Sequence, residues 1–166
     1  MKRFLFLILI VSFNISASDE GIQQWVYNTL ERAQANLDKG NIEAAEKIYY
    51  DYANDTWSSR SYDHFVFLRT YAYFLLSFDR NEEALRYLKQ ASLKRDMPPY
   101  DIFELHFTLG QVYYVTGDRE NAKKTLLKWV EIGEKNKLDL KPEGYAILAT
   151  IYAQDEEWGN ALKFIT

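Results

Sequence analysis

The sequence predicts an all-α fold, a solenoid of antiparallel helix hairpins. Apolar residues recur every three or four positions over long stretches, which is the spacing of one face of an α-helix. Small residues also recur at a fixed distance within each predicted hairpin. They are Ala33, Ala72, Gly110 and Ala149 in the first helices, and Ala45, Ala84, Ala122 and Ala161 in the second helices.

The distances between these small residues define an internal repeat. Within every hairpin the gap is 12 residues, and successive first helices follow one another at 39, 38 and 39 residues. A period of about 20–50 residues indicates stacked supersecondary units, each of which buries its apolar face against the next. The predicted units cover residues 22–53, 64–95, 101–137 and 142–166, and the last of these is incomplete.

The first unit is a helix pair followed by a polar loop. A helix is expected over 19–39 and ends at Gly40, a residue that favours helix termination. The second helix starts directly after Asn41, whose side chain is available as a cap. The loop over 54–63 is rich in Ser, Asn and Asp, and its Trp57 is expected to fill a seam between helices.

The second unit holds the most apolar predicted helix, over 64–78. Asp79 and Glu82 have the spacing of a capping box for the helix that follows, which is expected over 81–95. Pro98-Pro99 ends this unit, because proline cannot continue the helical hydrogen-bond ladder.

The third and fourth units repeat the hairpin. In the third unit the turn at Gly117-Asp118 leads into a long helix over 119–137. Pro142 occupies a position that tolerates proline, the start of a helix. Trp158 then begins a further helix, and the few residues after it are expected to leave apolar surface exposed, covered either by further units or by another molecule.

The third unit carries the clearest motif. Leu109-Gly110 and Tyr113 share one helical stripe, and Ala122 and Leu126 begin the next. This spacing resembles the tetratricopeptide repeat family, whose pattern is a large residue, Leu-Gly, Tyr, and then Ala before an aromatic residue. His106 stands where the family usually has Trp. The family period is about 34 residues, so the extra residues are expected in the second helix or the loop after it, and a related α-solenoid is the alternative.

The resemblance implies a right-handed superhelix in which the first helices line a concave groove that binds other proteins. Positions three before and one after the small residue would face this groove. The predicted partner-binding residues are Arg69, Tyr73, Phe107, Gln111 and Tyr114, together with Ala146 and Thr150 in the fourth unit. The aromatic rings would grip apolar or Pro-rich side chains and Arg69 would pair with a carboxylate. The alternative is that Tyr73, Phe107 and Tyr114 pack against second helices or a further C-terminal segment.

Residues 1–18 are predicted to be a secretory signal peptide. Lys2-Arg3 precedes an apolar run over 4–13, and Ser16-Ala17-Ser18 supplies small residues for cleavage after Ala17 or Ser18. The run is shorter than the ~20 residues that span a bilayer, which leaves an uncleaved anchor as the less favoured alternative. The predicted location is therefore the periplasm, or the medium outside the cell.

Composition excludes several classes of function. Without Lys2 and Arg3, 18 basic residues remain against 24 acidic ones, a net charge of −6, which disfavours nucleic acid and anionic lipid as partners. The chain has no cysteine, which excludes a disulfide framework, a thiol nucleophile and a lipid-modified Cys. Membrane contact is expected only through a partner.

No catalytic, metal or cofactor motif is present in the sequence. The two histidines are His64, expected to be solvated at a helix start, and His106, expected to pack in place of a ring. Neither has the spacing of a zinc site, and there is no Gly-rich phosphate loop. We therefore predict a protein that is not an enzyme and needs no cofactor or metal.

The sequence predicts a protein–protein interaction scaffold or adaptor of the bacterial envelope, with envelope or secretion components as partners. Two alternatives stay open at this point. An aromatic groove also suits a glycan- or peptidoglycan-binding accessory module. The chain would alternatively be the N-terminal part of a larger protein with a catalytic domain beyond Thr166.

Overall fold

The computed structural model of the chain describes residues 21–55 and 61–165. The predicted signal peptide, its cleavage site and Trp57 lie outside these residues. Eight helices lie within the described ranges: α1 (Gln24–Asp38), α2 (Ile42–Asn54), α3 (Ser61–Ser77), α4 (Asn81–Ser92), α5 (Pro99–Val115), α6 (Arg119–Asn136), α7 (Pro142–Gln154) and α8 (Trp158–Leu162).

The helices form a stack of hairpins. Each helix packs on the next along the chain, and α5 also contacts α7. The Trp25 ring of α1 stacks on the Phe67 ring of α3. An ion pair and a hydrogen bond join α3 to α5, and Lys141 at the start of α7 pairs with Glu104 of α5. The first helices α1, α3, α5 and α7 therefore form one layer. The second helices α2, α4, α6 and α8 form the other. The prediction of an all-α solenoid of helix hairpins is confirmed.

The repeated small residues lie where helices approach closely, and all eight are buried. At Gly110 a Cβ atom would come 2.6 Å from Cγ of Leu126, so only glycine leaves room for that side chain. Gly144 likewise leaves room for the Trp129 ring, which would lie 2.4 Å from an added Cβ. The small positions therefore set the spacing between the helices of a hairpin and between successive units.

The residues by which the repeat exceeds the family period of about 34 lie in different places in different units. In the third unit they lie in α6, which has 18 residues against 12 in α4. In the second unit they lie in the connection over 93–98, because α4 ends at Ser92 and not at residue 95 as predicted. Pro98-Pro99 therefore does not end α4. Pro98 caps α5 and Pro99 is its first residue.

One predicted helix cap is wrong, and a second has the predicted N-cap residue without a side-chain hydrogen bond. Asp79 adopts a left-handed conformation with φ of 58°, and Arg80 is the N-cap of α4 without a side-chain cap. The capping box with Glu82 does not form; Arg80 instead donates to Glu83, with a distance of 2.7 Å between Nε and Oε1. Asn41 is the N-cap of α2 but its side chain makes no capping hydrogen bond.

The apolar interior has two clusters. One runs through the first three units and reaches Ile151 of α7, and the other joins α5, α6, α7 and α8 around Trp129. Trp129 is fully buried and contacts the rings of Phe103, Phe107 and Tyr145. Its indole N–H has no hydrogen-bond partner among the described residues, so this side chain stabilises the seam through buried apolar area. Within 21–55 and 61–165 no helix combines the length and hydrophobicity that a bilayer crossing needs.

Candidate functional site

The surface predicted to bind a partner lies on the layer of first helices. It is the side of that layer on which α5 carries a row of partly exposed residues, called here the α5 stripe. Five partly or fully exposed residues of α5 follow one another at three or four positions, which places them on one face of the helix: Tyr100, Glu104, Thr108, Gln111 and Tyr114. Residues of α3 lie on one side of this stripe and residues of α7 on the other. We name this surface the first-helix face; it comprises Tyr62, Arg69, Tyr73, Tyr100, Glu104, Thr108, Gln111, Tyr114, Ala146 and Thr150.

Arg69 lies on α3 and is bound to the neighbouring unit. Its Nη1 atom is 2.5 Å from Oδ1 of Asp101 on α5, and its guanidinium lies 5.2 Å from the centre of the Phe65 ring. Tyr62 donates to the other carboxylate oxygen of Asp101 at 2.9 Å. Burial, together with this hydrogen bond, raises the pKa of Tyr62 to about 12. The predicted pairing of Arg69 with a partner's carboxylate stays a prediction, and within the chain the guanidinium already has Asp101.

Tyr73 and Tyr114 are both half-buried on the first-helix face. The Tyr73 hydroxyl lies 3.4 Å from the Thr108 hydroxyl and so connects α3 to α5. Burial raises the pKa of Tyr73. Tyr114 packs against the first apolar cluster and keeps part of its surface in solvent. Each ring therefore contributes both to the seam between helices and to the surface.

Phe107 belongs to the apolar interior. It is only 5% exposed, and its ring centre lies 5.2 Å from that of Trp129 on α6. The ammonium of Lys141 covers the ring at 4.6 Å and also pairs with Glu104 at 2.7 Å. Phe107 thus packs against a second helix, which was the alternative given for it, and it offers a partner almost no surface.

Gln111 lies on the α5 stripe, and the hydrogen-bonding groups of its side chain have no partner among the described residues. The side chain is half-buried. On α7, Ala146 and Thr150 are exposed, and the Thr150 hydroxyl donates to the Ala146 carbonyl at 2.7 Å. A carboxamide carries two donors and an acceptor, so Gln111 is a group on this face that could bind a polar ligand.

Tyr100 is a residue of this face that the sequence reasoning missed. It is 50% exposed and begins the α5 stripe that continues through Glu104. It follows Pro98-Pro99, which was predicted to end the second unit, and it precedes the predicted third unit over 101–137. A signal was present, because Tyr62 stands 38 residues earlier at the equivalent position of the second unit.

The two histidines have structural partners. His64, expected to be solvated, is half-buried: Nε2 lies 3.0 Å from the Ala53 carbonyl oxygen, and Nδ1 lies 2.8 Å from Nζ of Lys94. Nδ1 of His106 donates to the Ile102 carbonyl at 2.8 Å, and burial lowers the pKa of His106. In the part of the chain that the structure describes, no three His, Asp or Glu side chains come together as a metal site.

No protein-family model matches the chain, and a search of curated proteins found no significant match. Solved structures do match. The crystal structure of MamA shares 18% identity over 84% of this chain and 73% of MamA, with a TM-score of 0.62. The apo form of RapI shares 19% identity over 84% of this chain, with a TM-score of 0.57, and the chain spans only 50% of RapI.

MamA and RapI are helical-repeat proteins of the tetratricopeptide type. The chain has a tetratricopeptide-like fold. At these identities the likeness concerns the fold alone. It agrees with the pattern of Leu109-Gly110, Tyr113 and Ala122 on which the resemblance was based.

Proposed function

We propose that this protein is a non-catalytic interaction scaffold of the bacterial envelope that binds a segment of another protein on its first-helix face. The observation that carries the proposal is the half-buried Gln111, whose carboxamide has no partner among the described residues. The tetratricopeptide-like fold supports it, because stacked helix pairs present extended surfaces that such proteins use for binding.

The proposed location rests on the sequence of residues 1–18, with Lys2-Arg3, an apolar run and small residues at Ser16-Ala17-Ser18. The test is to express the gene with its own leader and determine the N-terminus of the exported product. A first residue of Ser18 or Asp19 supports export with cleavage. A product that retains Met1 in the cytoplasm contradicts it.

The surroundings of the two histidines support the proposed absence of catalysis. Catalysis by a nucleophile needs a base within hydrogen-bond reach and a group that orients the base. Both histidines are committed to backbone carbonyls, and Lys94 occupies the remaining nitrogen of His64. These side chains hold helices in place.

The binding surface is tested by capture from an envelope fraction with the mature protein as bait. Replacing both Tyr73 and Tyr114 with Ala removes two rings from the first-helix face and is expected to abolish capture of the proteins that the unaltered bait retains. Tyr50→Ala is the control, since Tyr50 is an exposed ring on α2 in the other layer. Far-UV circular dichroism checks that all variants stay helical.

Unchanged capture by the double variant would place the partner on another surface. Retention of peptidoglycan fragments in place of protein, lost in the same double variant, would favour the glycan-binding alternative.

A further inference from the structure

A row of exposed apolar side chains lies on α8, away from the first-helix face. Trp158, Leu162 and Ile165 are 63%, 64% and 67% exposed. They follow one another at four and three positions, the spacing of one helical face. The main-chain nitrogen of Ile165 donates to the Leu162 carbonyl at 3.3 Å, so the helical path continues past the end of α8. We name these three residues the α8 patch. Contiguous exposed apolar side chains mark sites of contact with another molecule.

The exposure of Trp158 is a property of its place in the repeat. It is the first residue of α8, and the first residues of α2, α4 and α6 stand at the same repeat position. Each of those three helices is followed by another unit, yet these residues keep solvent contact; they are Ile42, Asn81 and Arg119. The position therefore stays at the surface of the stack even where a following unit is present, and a large apolar ring there is available to another molecule.

The opposite end of the stack does not match the α8 patch. In α3, three buried rings face the preceding helix α2, and the Phe67 ring centre lies 4.9 Å from that of Tyr52. The equivalent residues of α1 are exposed and are polar or small. The α3 rings are Phe67, Tyr71 and Phe74, and the α1 residues are Asn28, Arg32 and Ala35. Packing of α1 on the α8 patch of another copy would bury a guanidinium and a carboxamide, which is costly. The ends therefore do not fit head to tail.

The α8 patch does match a second copy of itself. A two-fold axis brings the same surface together from both molecules, so that surface must be complementary to itself. In an antiparallel pair the middle residue, Leu162, lies beside the axis, and Trp158 of one copy meets Ile165 of the other. The acidic start of α8 at Glu156-Glu157 then lies towards Lys163 of the other copy, whereas a parallel pair would place like charges side by side.

We propose that two copies of this protein pair through the α8 patch across a two-fold axis. Trp158 is the main anchor, because Trp is enriched among the residues that dominate binding energy in interfaces. Three apolar side chains per copy are fewer than the roughly 20–30 residues a side of a stable interface. The pairing is therefore reversible, with a dissociation constant of about 1–100 μM. The patch contains no residue of the first-helix face, so the dimer offers that face twice.

Sedimentation velocity of the mature protein from about 1 to 200 μM measures this association. We expect a reversible rise from monomer to dimer. Leu162→Glu is expected to weaken the association at least about thirtyfold, because it removes apolar contacts and places two carboxylates beside the axis. Leu93→Glu is the matched control, since Leu93 is 78% exposed at the end of α4 and lies outside the patch. This variant is expected to dimerise like the unaltered protein, and far-UV circular dichroism checks that both variants stay helical.

Crosslinking tests the two-fold arrangement. The chain has no cysteine, so an introduced cysteine is its sole thiol. Leu162→Cys is expected to give a covalent dimer with a short bismaleimide, whereas Leu93→Cys is expected to stay monomeric. A protein that is monomeric at every concentration would overturn the inference and leave the α8 patch to a helix of another molecule. A dimer that Leu162→Glu leaves intact, or that Leu93→Glu weakens equally, would overturn it as well.

Discussion

The Arg69 guanidinium on α3 and the Asp101 carboxylate on α5 form an ion pair, with 2.5 Å between Nη1 and Oδ1, although 32 residues separate them in sequence. The pair joins the second unit to the third. Tyr62 adds a hydrogen bond to the same carboxylate. The two charges are thereby paired within the chain and join neighbouring first helices.

Asp101→Ala is expected to destabilise the fold by about 2–3 kcal/mol. The change leaves Arg69 without a partner where the two side chains are only 17% and 11% exposed, and this residual exposure places the cost below the ~3–5 kcal/mol of fully buried pairs. Urea denaturation followed by circular dichroism measures the free energy of unfolding. The control is Asp51→Ala, which breaks the exposed pair with Lys47 and should cost less than about 1 kcal/mol. Equal costs for the two variants would contradict a structural role for the Arg69–Asp101 pair.

Gly110→Ala is expected to lower the stability by about 1–3 kcal/mol. The added Cβ would lie 2.6 Å from Cγ of Leu126, and the cost of overpacking exceeds the ~1 kcal/mol that alanine gains in helix propensity. Gly159→Ala is the control, because nothing lies within 4 Å of a Cβ at that position of α8. Thermal denaturation should show a lower midpoint for Gly110→Ala and an equal or higher midpoint for Gly159→Ala. The reverse order would contradict the close approach of α5 and α6.

Leu88 and Ile165 stand at the same repeat position, 77 residues apart, in different surroundings. Leu88 is 0% exposed and Ile165 is 67% exposed. Leu88→Ala is expected to cost about 2–5 kcal/mol, because it leaves a cavity in the apolar interior. Ile165→Ala should cost less than about 0.5 kcal/mol. Chemical denaturation of both variants compares them, and similar costs would contradict the different burial of the two side chains.

The His106 imidazole is expected to titrate below its usual pKa of about 6.5. Burial lowers the pKa, and the nearby Lys128 adds to the effect, while the hydrogen bond to Ile102 opposes it. The unfolded state then binds the proton more tightly, so the contribution of neutral His106 to stability is present above pH 6.5 and is lost as pH falls through the folded-state pKa. NMR titration of the ring Cε1 proton measures this pKa. In a His106→Gln variant the corresponding part of the pH dependence of unfolding should disappear. A pKa of His106 at or above 6.5 in the unaltered folded protein would contradict the prediction.

The architecture was predictable from the sequence because it depends on short-range pattern. The constant gap between residues such as Ala72 and Ala84 reflects helix contacts within one hairpin, and these residues are fully buried as expected. The turn at Asp118 was predictable for the same reason, because it depends on residues close to it in sequence. Its side chain accepts from the Asn121 main-chain nitrogen at 3.2 Å and caps α6.

The chemistry of the first-helix face was less predictable, because it depends on contacts between units. Repeat position alone places Arg69 and Phe107 on one face, but it does not reveal that Asp101 neutralises the first or that Lys141 covers the second. The start of α4 was mispredicted for a different reason. Asp79 has a left-handed backbone conformation, which displaces its carboxylate from the cap. The repeat carried a sign of this, because Asp79 stands at the position of Gly40 and Gly117, which also have positive φ.

The most direct test of the central claim is NMR on the isotopically labelled mature protein, titrated with the binding segment of a partner captured from the envelope fraction. We predict that the side-chain NH₂ of Gln111 and main-chain amides over 108–114 shift on titration, with smaller changes at Thr150, while amides of α2 and α6 stay in place. Shifts confined to the second helices, or an unmoved Gln111 NH₂ signal at saturation, would contradict the assignment of the first-helix face as the binding site.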